Sequence, residues 1–363
     1  MIGRTLSLYF AGRFTKMVMA MFALFVALIT VISYFELIRK ALKYEDFEVW
    51  RSAIVVLFRV PNMAEAALPF ATLFGSIAAF VVANRRLEVV VSRAAGISAW
   101  QFLFPAALVG LMIGILATTI YSPFAASLEA AASSINASIK ADARSSKDST
   151  SGPVWIRQAA EDRESIIGAN ESFDGGLGLT EVTAMVFDRT GKFIERVDAG
   201  TARFEPGTWL LKNATVTAPS RQPERVETYR IPTHLAPDQV KQSFEKPEFV
   251  SFWRLPALIR AADNAGLSSD RYRLRYNTLL AQPILLLSMV LIAAIVSLRF
   301  SRSKDLGQMI LAGIGIGFML YIVTKIARDL GSAGIVPASL AAWLPAIVAI
   351  LVGTTVLLHL EDG

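Results

Sequence analysis

Six long apolar runs constrain this chain more tightly than any motif in it: about Met17–Ile38, Ile54–Ala83, Phe102–Tyr121, Asn277–Leu298, Leu306–Ile326 and Ala338–Leu358. A helix rises 1.5 Å per residue, so roughly 20 apolar residues cross the ~30 Å hydrocarbon core of a bilayer. Each run is long enough. The whole chain agrees, because hydrophobic residues make up 54% of it, charged residues only 18%, and the mean hydropathy is +0.48. That is too apolar for a soluble domain of ordinary usage. An amphipathic start, Met1–Lys16, places Arg4, Arg13 and Lys16 among Leu6, Leu8, Tyr9, Phe10 and Phe14, which suits it to the membrane interface. The run that follows is long for a signal peptide and has no small-residue cleavage site, so it is read as the first span.

From Ser122 to Asp270 the texture changes. Ala125–Ala143 is rich in alanine and serine and extends the third span as a helix. Short alternating stretches follow: Val154–Ile156, Ser165–Ile167, Val182–Phe187, Phe193–Val197, Ala202–Phe204, Trp209–Leu211 and Ala214–Val216. Turn chemistry separates them at Asp188–Lys192 and Glu205–Thr208, and many short strands at this spacing predict a β-sandwich or jelly roll. Phe252–Ala265 reads as a helix returning the chain to the bilayer. The expected fold is an α-helical membrane protein with six transmembrane helices and an all-β, jelly-roll-like domain inserted between helices 3 and 4. Its parts are residues 1–121, 122–270 and 271–363.

Charge sets the orientation. Arg4, Arg13 and Lys16, then Arg85, Arg86 and Arg93, then Arg299, Arg302 and Lys304 fall on one face of a six-span chain. The positive-inside rule makes that face cytoplasmic and puts the β-domain outside. Arg39, Lys40 and Lys43 compete on the other face, among Glu36, Glu45, Asp46 and Glu48.

Catalysis finds no footing. With no cysteine there is no disulfide, thiolate metal site or cysteine nucleophile. No phosphate-binding G-x-x-x-x-G-K-[ST], H-E-x-x-H or G-x-S-x-G occurs, and the two histidines, His234 and His359, belong to no ligand constellation. No catalytic, cofactor or metal residue is expected, and the chain reads as a non-enzyme. Arg59 and Glu65 in the second run either face protein or a water-filled cavity at membrane depth, or lie above the hydrocarbon on an extension of the helix. Pro61 and Pro69 predict a kink there.

Between the second and third runs stands Asn84–Trp100. It opens with Arg85 and Arg86, sets Leu87, Val90, Val91 and Ala94 at helical spacing around Glu88, stops at Gly96, and offers Ser98 as a cap for the next helix. It reads as a cytoplasmic helix that docks on another protein, the bland alternative being a loop whose arginines only set topology.

Three segments carry a family resemblance: LPFATLFGSIAAFVVANRRLEVVVSRAAGIS (Leu68–Ser98), QPILLLSMVLIAAIVSLRF (Gln282–Phe300) and GIVPASLAAWLP (Gly334–Pro345). Together they resemble the LptF/LptG (YjgP/YjgQ) lipopolysaccharide-export permeases, and the order of three spans, jelly-roll domain and three spans is that of the family as well. Within it, the Leu87–Val90 loop and the carboxy-terminal segment favour the LptG type, with an LptF-type partner subunit as the alternative. The resemblance implies an inner-membrane half-transporter with a periplasmic β-domain. Its implied partners are a homologous LptF-like permease, a cytoplasmic LptB-like ATPase dimer, LptC-like and LptA-like periplasmic jelly-roll proteins, and lipopolysaccharide; no cofactor and no nucleic acid are implied. Asn84–Ser98 is then similar to the coupling helix. Arg86, Leu87, Glu88, Val90, Val91 and Arg93 would grip the ATPase, the apolar residues as anchors and the charged ones fixing register.

An anionic glycolipid needs an enclosed apolar surface and cations at its rim. Phe22, Phe25, Phe35, Phe318, Tyr321 and Ile322 are the candidates for the surface, and Arg39, Lys40, Lys43, Lys325 and Arg328 for the rim. The chain departs from the family pattern at Ser33, where a lysine is frequent, and in Ser127–Asn136, where arginines occur. A second class of function stays open: a non-transporting scaffold that recruits periplasmic proteins by adding a strand to its β-domain.

Overall fold

A computed structural model describes residues 4–42, 49–88, 91, 94, 96, 98–143, 154–159, 163–173, 176–188, 192–219, 222–233, 247–264, 269–300 and 306–362. They form two compact units, one of Met1–Ala137, Glu248–Leu255 and Asp270–Gly363, the other of Ser138–Pro247 and Pro256–Ser269.

The first unit is helical. Its helices are α1 (Arg4–Ala41), α2 (Val49–Glu65), α3 (Leu68–Arg85), α4 (Ala99–Leu116), α5 (Ser122–Ala143) as far as Ala137, α7 (Asp270–Phe300), α8 (Leu306–Ser332) and α9 (Ala338–Asp362), while α6 (Leu255–Asn264) belongs almost wholly to the second unit. Among the described residues six helical stretches are long and apolar enough to cross a membrane, one in each of the six runs, and the third passes from α4 through a π-turn into α5. The expected kink in the second run is a complete break: α2 ends at Glu65, and α3 begins at Leu68 with Pro69 in its first turn, where no backbone donor is needed.

One helix organises the bundle. Of the α7 span 67% is buried, against 11% for the spans in α1 and in α8. Pro283 sits inside α7 and has no N–H, so the carbonyl of Leu279, four residues earlier, loses its helical donor. Thr118 of the π-turn Ala117–Tyr121 supplies the substitute, its hydroxyl donating to that carbonyl at 2.8 Å. The helices come this close because Gly114 faces Pro283; a Cβ at position 114 would stand 2.4 Å from the proline Cα. Gly75 does the same for α1 against α3, where a Cβ would meet the Val18 Cα at 2.5 Å. Small residues at helix crossings are what a bundle in lipid requires.

Besides α6 and the end of α5, the second unit holds, among the described residues, a single antiparallel sheet with strands β1 (Val154–Ala159), β2 (Arg163–Phe173), β3 (Gly178–Asp188), β4 (Phe193–Glu205), β5 (Thr208–Thr217) and β6 (Glu224–Pro232), each paired with its sequence neighbours. An all-β domain between the third and fourth spans is thus present, but its strands are fewer and longer than the sequence texture indicated. Phe193–Val197 and Ala202–Phe204 are two halves of β4, and Trp209–Leu211 and Ala214–Val216 two halves of β5. β6 was not read as a strand because Glu224, Arg225, Glu227 and Arg230 leave it little apolar alternation.

The apparent gaps have a common cause. Asn170, Glu181, Gly200, Asn213 and Glu227 lie in one row across β2 to β6, and ladder pairing lapses along it while the register is kept. Glu181 and Asn213 have φ of 50° and 53°. Inward-facing residues slip by one across the row, from Leu179 to Val182, Ala199 to Ala202 and Leu211 to Ala214, all buried. Two consecutive residues face outward at the slip, which creases the sheet and lets it wrap its own core around Trp209, Phe204 and Ile167. The wrap brings the first and last strands within a side chain's reach: buried Gln158 of β1 donates to the Pro232 carbonyl at 3.4 Å and accepts from Thr233 at 2.8 Å.

Candidate functional site

α3 ends with the Arg86 N–H donating to the Val82 carbonyl, and the chain then turns at Leu87, a non-glycine residue at φ 59°. Holding such a residue in the left-handed region costs about 1 kcal/mol. Helical structure resumes at Glu88, Val91 and Ala94, with the Val91 N–H donating to the Leu87 carbonyl at 2.9 Å. Gly96 follows at φ 81°, and Ser98 closes a capping box with Gln101 at the start of α4, as the sequence indicated.

Of the six expected coupling residues, the four that are described do not share one environment. Leu87 and Val91 are 60% and 65% exposed, which leaves two apolar side chains uncovered, and Arg86 is exposed beside them. Glu88 is largely shielded. Both its carboxylate oxygens accept from Arg13 Nη1 of α1, at 2.7 and 2.9 Å, and the Tyr9 hydroxyl approaches at 3.5 Å. Val90 and Arg93 lie outside the described residues. Arg13 entered the sequence reading only as a topology charge; nothing in the sequence pairs it with an acid 75 residues away.

At the other end of α3 lies a second group of charges. Glu65, 9% exposed in its side chain, accepts from Arg275 Nη2 of α7 at 2.9 Å. Arg59 stands 3.3 Å from Glu129 of α5, which also accepts from Asn62 at 3.5 Å. Both residues make ion pairs within the protein, Glu65 buried and the Arg59 side chain 41% exposed, and both lie on α2, ahead of the apolar stretch that begins at Leu68. Arg328 of α8 is half-buried near Arg275, Glu65, Tyr321 and Asp329, and Lys325 is exposed one turn earlier. Arg39 is exposed near the end of α1; Lys40 lies on α1 with its side chain outside the described set, and Lys43 is outside the described residues.

Apolar candidates divide likewise. Phe22 packs edge-on against Tyr121 at 5.8 Å and belongs to a small core with Leu68, Ala117 and Leu286. Phe25 meets Phe74 of α3 at 6.4 Å, and Tyr321 meets Phe70 of α3 at 5.7 Å. Ile322 is half-buried, while Phe35 and Phe318 are 68% and 59% exposed. Sequence reasoning assigned the surface to the first and fifth spans and missed α3. Phe74 touches Phe25 on one side and approaches Gly313 of α8 on the other, so α3 joins the two. The uncovered faces of α1 and α8 continue this surface with Leu28, Val31, Ile32, Ile314 and Met319.

The geometry is polarised along α1. At 1.5 Å per residue, Arg13 and Arg39 stand about 39 Å apart on one unbroken helix, more than the hydrocarbon thickness. One end carries the Arg13–Glu88 pair with two exposed apolar side chains; the other carries Arg39. Among the described residues no three acids or histidines gather as metal ligands.

Residues 8–359 match the family described as "Lipopolysaccharide export system permease LptF/LptG". The "Lipopolysaccharide export system permease protein LptG" of Escherichia coli strain K12 is 23% identical over 338 residues, covering 92% of this chain and 91% of that protein. The protein of the same description from Haemophilus influenzae is 23% identical over 360 residues, 96% of each. With six candidate spans, an inserted β-domain and a match along nearly its whole length, this multi-pass membrane chain belongs to the LptF/LptG family of lipopolysaccharide export system permeases.

Proposed function

We propose that this chain is the LptG-type permease subunit of an ABC transporter in the bacterial inner membrane, which extracts lipopolysaccharide and passes it through a periplasmic β-domain toward the outer membrane. A separate cytoplasmic LptB-like ATPase dimer drives it and docks on Leu87, Glu88 and Val91, with Arg86, Val90 and Arg93 completing the contact. A homologous LptF-like permease pairs with it, and LptC-like and LptA-like proteins receive the lipid. The chain supplies no catalysis of its own.

One observation carries the reading: the two exposed apolar side chains of the coupling segment and the uncovered apolar faces of α1 and α8 adjoin the same helix, α3, at its end and along its side. Acyl chains need such an apolar surface, and phosphates need the cations Arg39, Lys40, Lys43, Lys325 and Arg328 near water at its far end. Phe22, Phe25, Phe35, Phe318, Tyr321 and Ile322 are the proposed chain-facing residues, joined by Phe70 and Phe74. The relatives named LptG support the LptG type over the LptF type.

Co-expression with an LptF-like permease and an LptB-like ATPase tests the docking. A Leu87→Asp, Val91→Asp double variant and, separately, Glu88→Lys are expected to lose at least nine-tenths of the co-purified ATPase at unchanged permease yield. Retention of the ATPase by both variants overturns the assignment.

A further inference from the structure

We infer that Arg13 is a positioning residue that ties the coupling segment to α1, so that whatever docks on the segment moves α1 together with α3. The inference rests on the coupling reading of Glu88 and names the element into which the movement passes.

The covalent tie between the segment and α3 is a single turn at Leu87, and one turn passes on position far better than direction. The Arg13–Glu88 contact supplies direction. Both carboxylate oxygens lie on the same guanidinium nitrogen, at 2.7 and 2.9 Å, and the Tyr9 hydroxyl, one turn earlier on α1, accepts from Arg13 at 3.4 Å. Three side chains from two elements thus meet in one charge-assisted group.

Neither partner is free to swing. The side chains of Arg13 and Glu88 are 13% and 20% exposed, so water and salt weaken the pair less than they weaken an open surface pair. Phe10 and Phe14 flank Arg13 and are buried, Phe10 edge-on against Phe102 at 4.7 Å and Phe14 against Phe80 at 6.1 Å. One further turn along, Val18 rests on the Gly75 backbone. The arginine therefore projects from a part of α1 that is locked onto α3 and α4.

What α1 does beyond that point makes the tie consequential. It is one continuous helix to Ala41 and has little of its span buried, and its uncovered side carries Phe35 and Arg39. A displacement entering at Arg13 reaches the apolar wall without crossing a joint. As a topology charge Arg13 would act through its sign alone; as a donor whose Nη1 is held on Glu88 and Tyr9 it acts through its position as well.

The test uses the full complex in phosphatidylethanolamine–phosphatidylglycerol vesicles loaded with lipopolysaccharide, and compares Arg13→Ala, Arg13→Lys and Glu88→Lys. Arg13→Ala is expected to keep ATPase retention and hydrolysis within twofold while lipopolysaccharide released per ATP falls at least fivefold. Arg13→Lys, which preserves the charge, recovers about half of that loss. Unchanged release per ATP in Arg13→Ala overturns the inference, and so does a parallel loss of ATPase retention, which would make Arg13 a docking residue only. Failure of the underlying reading looks different, because Glu88→Lys would then keep its ATPase whatever Arg13→Ala does.

Discussion

Gly114 in the helical unit and Gly200 in the sheet occupy opposite kinds of place. A Cβ at Gly114 would collide with the Pro283 backbone, whereas one at Gly200 would meet nothing within 4 Å. The first glycine is there so that two helices can touch; the second lies on the outward row where the sheet bends. The contrast extends to the forces involved. The sheet unit closes over fully buried Trp209, Leu211 and Val197, a core that removal of apolar surface from water can drive. The helical unit leaves Leu24, Leu28, Ile32, Leu311 and Phe318 uncovered and relies on close backbone approach and on buried ion pairs, since lipid gives apolar side chains no reason to hide. Two rules of assembly thus operate in one polypeptide.

Substitutions at the two glycines would break this comparison most directly. Gly114→Leu is expected to abolish accumulation of folded protein in the membrane, while Gly200→Leu leaves the yield within twofold; equal yields would show that the α4–α7 approach is dispensable. Trp209→Ala should destabilise the sheet by about 4 kcal/mol, through lost transfer energy and the cavity left behind, in denaturant titrations of the full chain followed by near-ultraviolet circular dichroism. Arg275→Met strands the Glu65 carboxylate and should cost about 3 kcal/mol, whereas the Glu65→Leu, Arg275→Met double variant should return to within about 1 kcal/mol of the parent. A double variant as unstable as the single one would mean that the pair is held for more than charge balance.

The smallest effect belongs to Tyr229. Burial, with its hydrogen bond to Glu195 at 2.5 Å and the charge of that carboxylate, pushes its hydroxyl up to about 12, against an opposing pull from Arg163. Because the folded chain holds this proton more tightly than the unfolded one, the contribution is complete below pH 10 and is lost between pH 10 and about 12. Tyr229→Phe should therefore flatten the pH dependence of the unfolding midpoint across that window, and an unchanged slope would count against the linkage.

Much of this architecture was legible from local chemistry. Span length follows from rise per residue, the stop at Gly96 from its left-handed backbone, and the cap at Ser98 from its hydroxyl and Gln101. What stayed hidden was pairing at long range. Glu65 and Arg275 lie 210 positions apart, Arg13 and Glu88 75 apart, and no periodicity connects them. The crease was visible but misread: the slip between Leu211 and Ala214 looked like the end of a strand, because outward residues at two consecutive positions break the alternation by which strands are recognised. α3 was missed as part of the apolar surface because Phe70 and Phe74 were absorbed into a motif recognised for its loop.

The hydroxyl of Thr118 has a mechanical consequence. A proline in a transmembrane segment normally leaves a bare peptide oxygen, and a neighbour that caps it ties the two helices together at that point. Sliding α4 past α7 would strand that oxygen in oil. A contact so capped resists sliding and holds α4 and α7 together as one block.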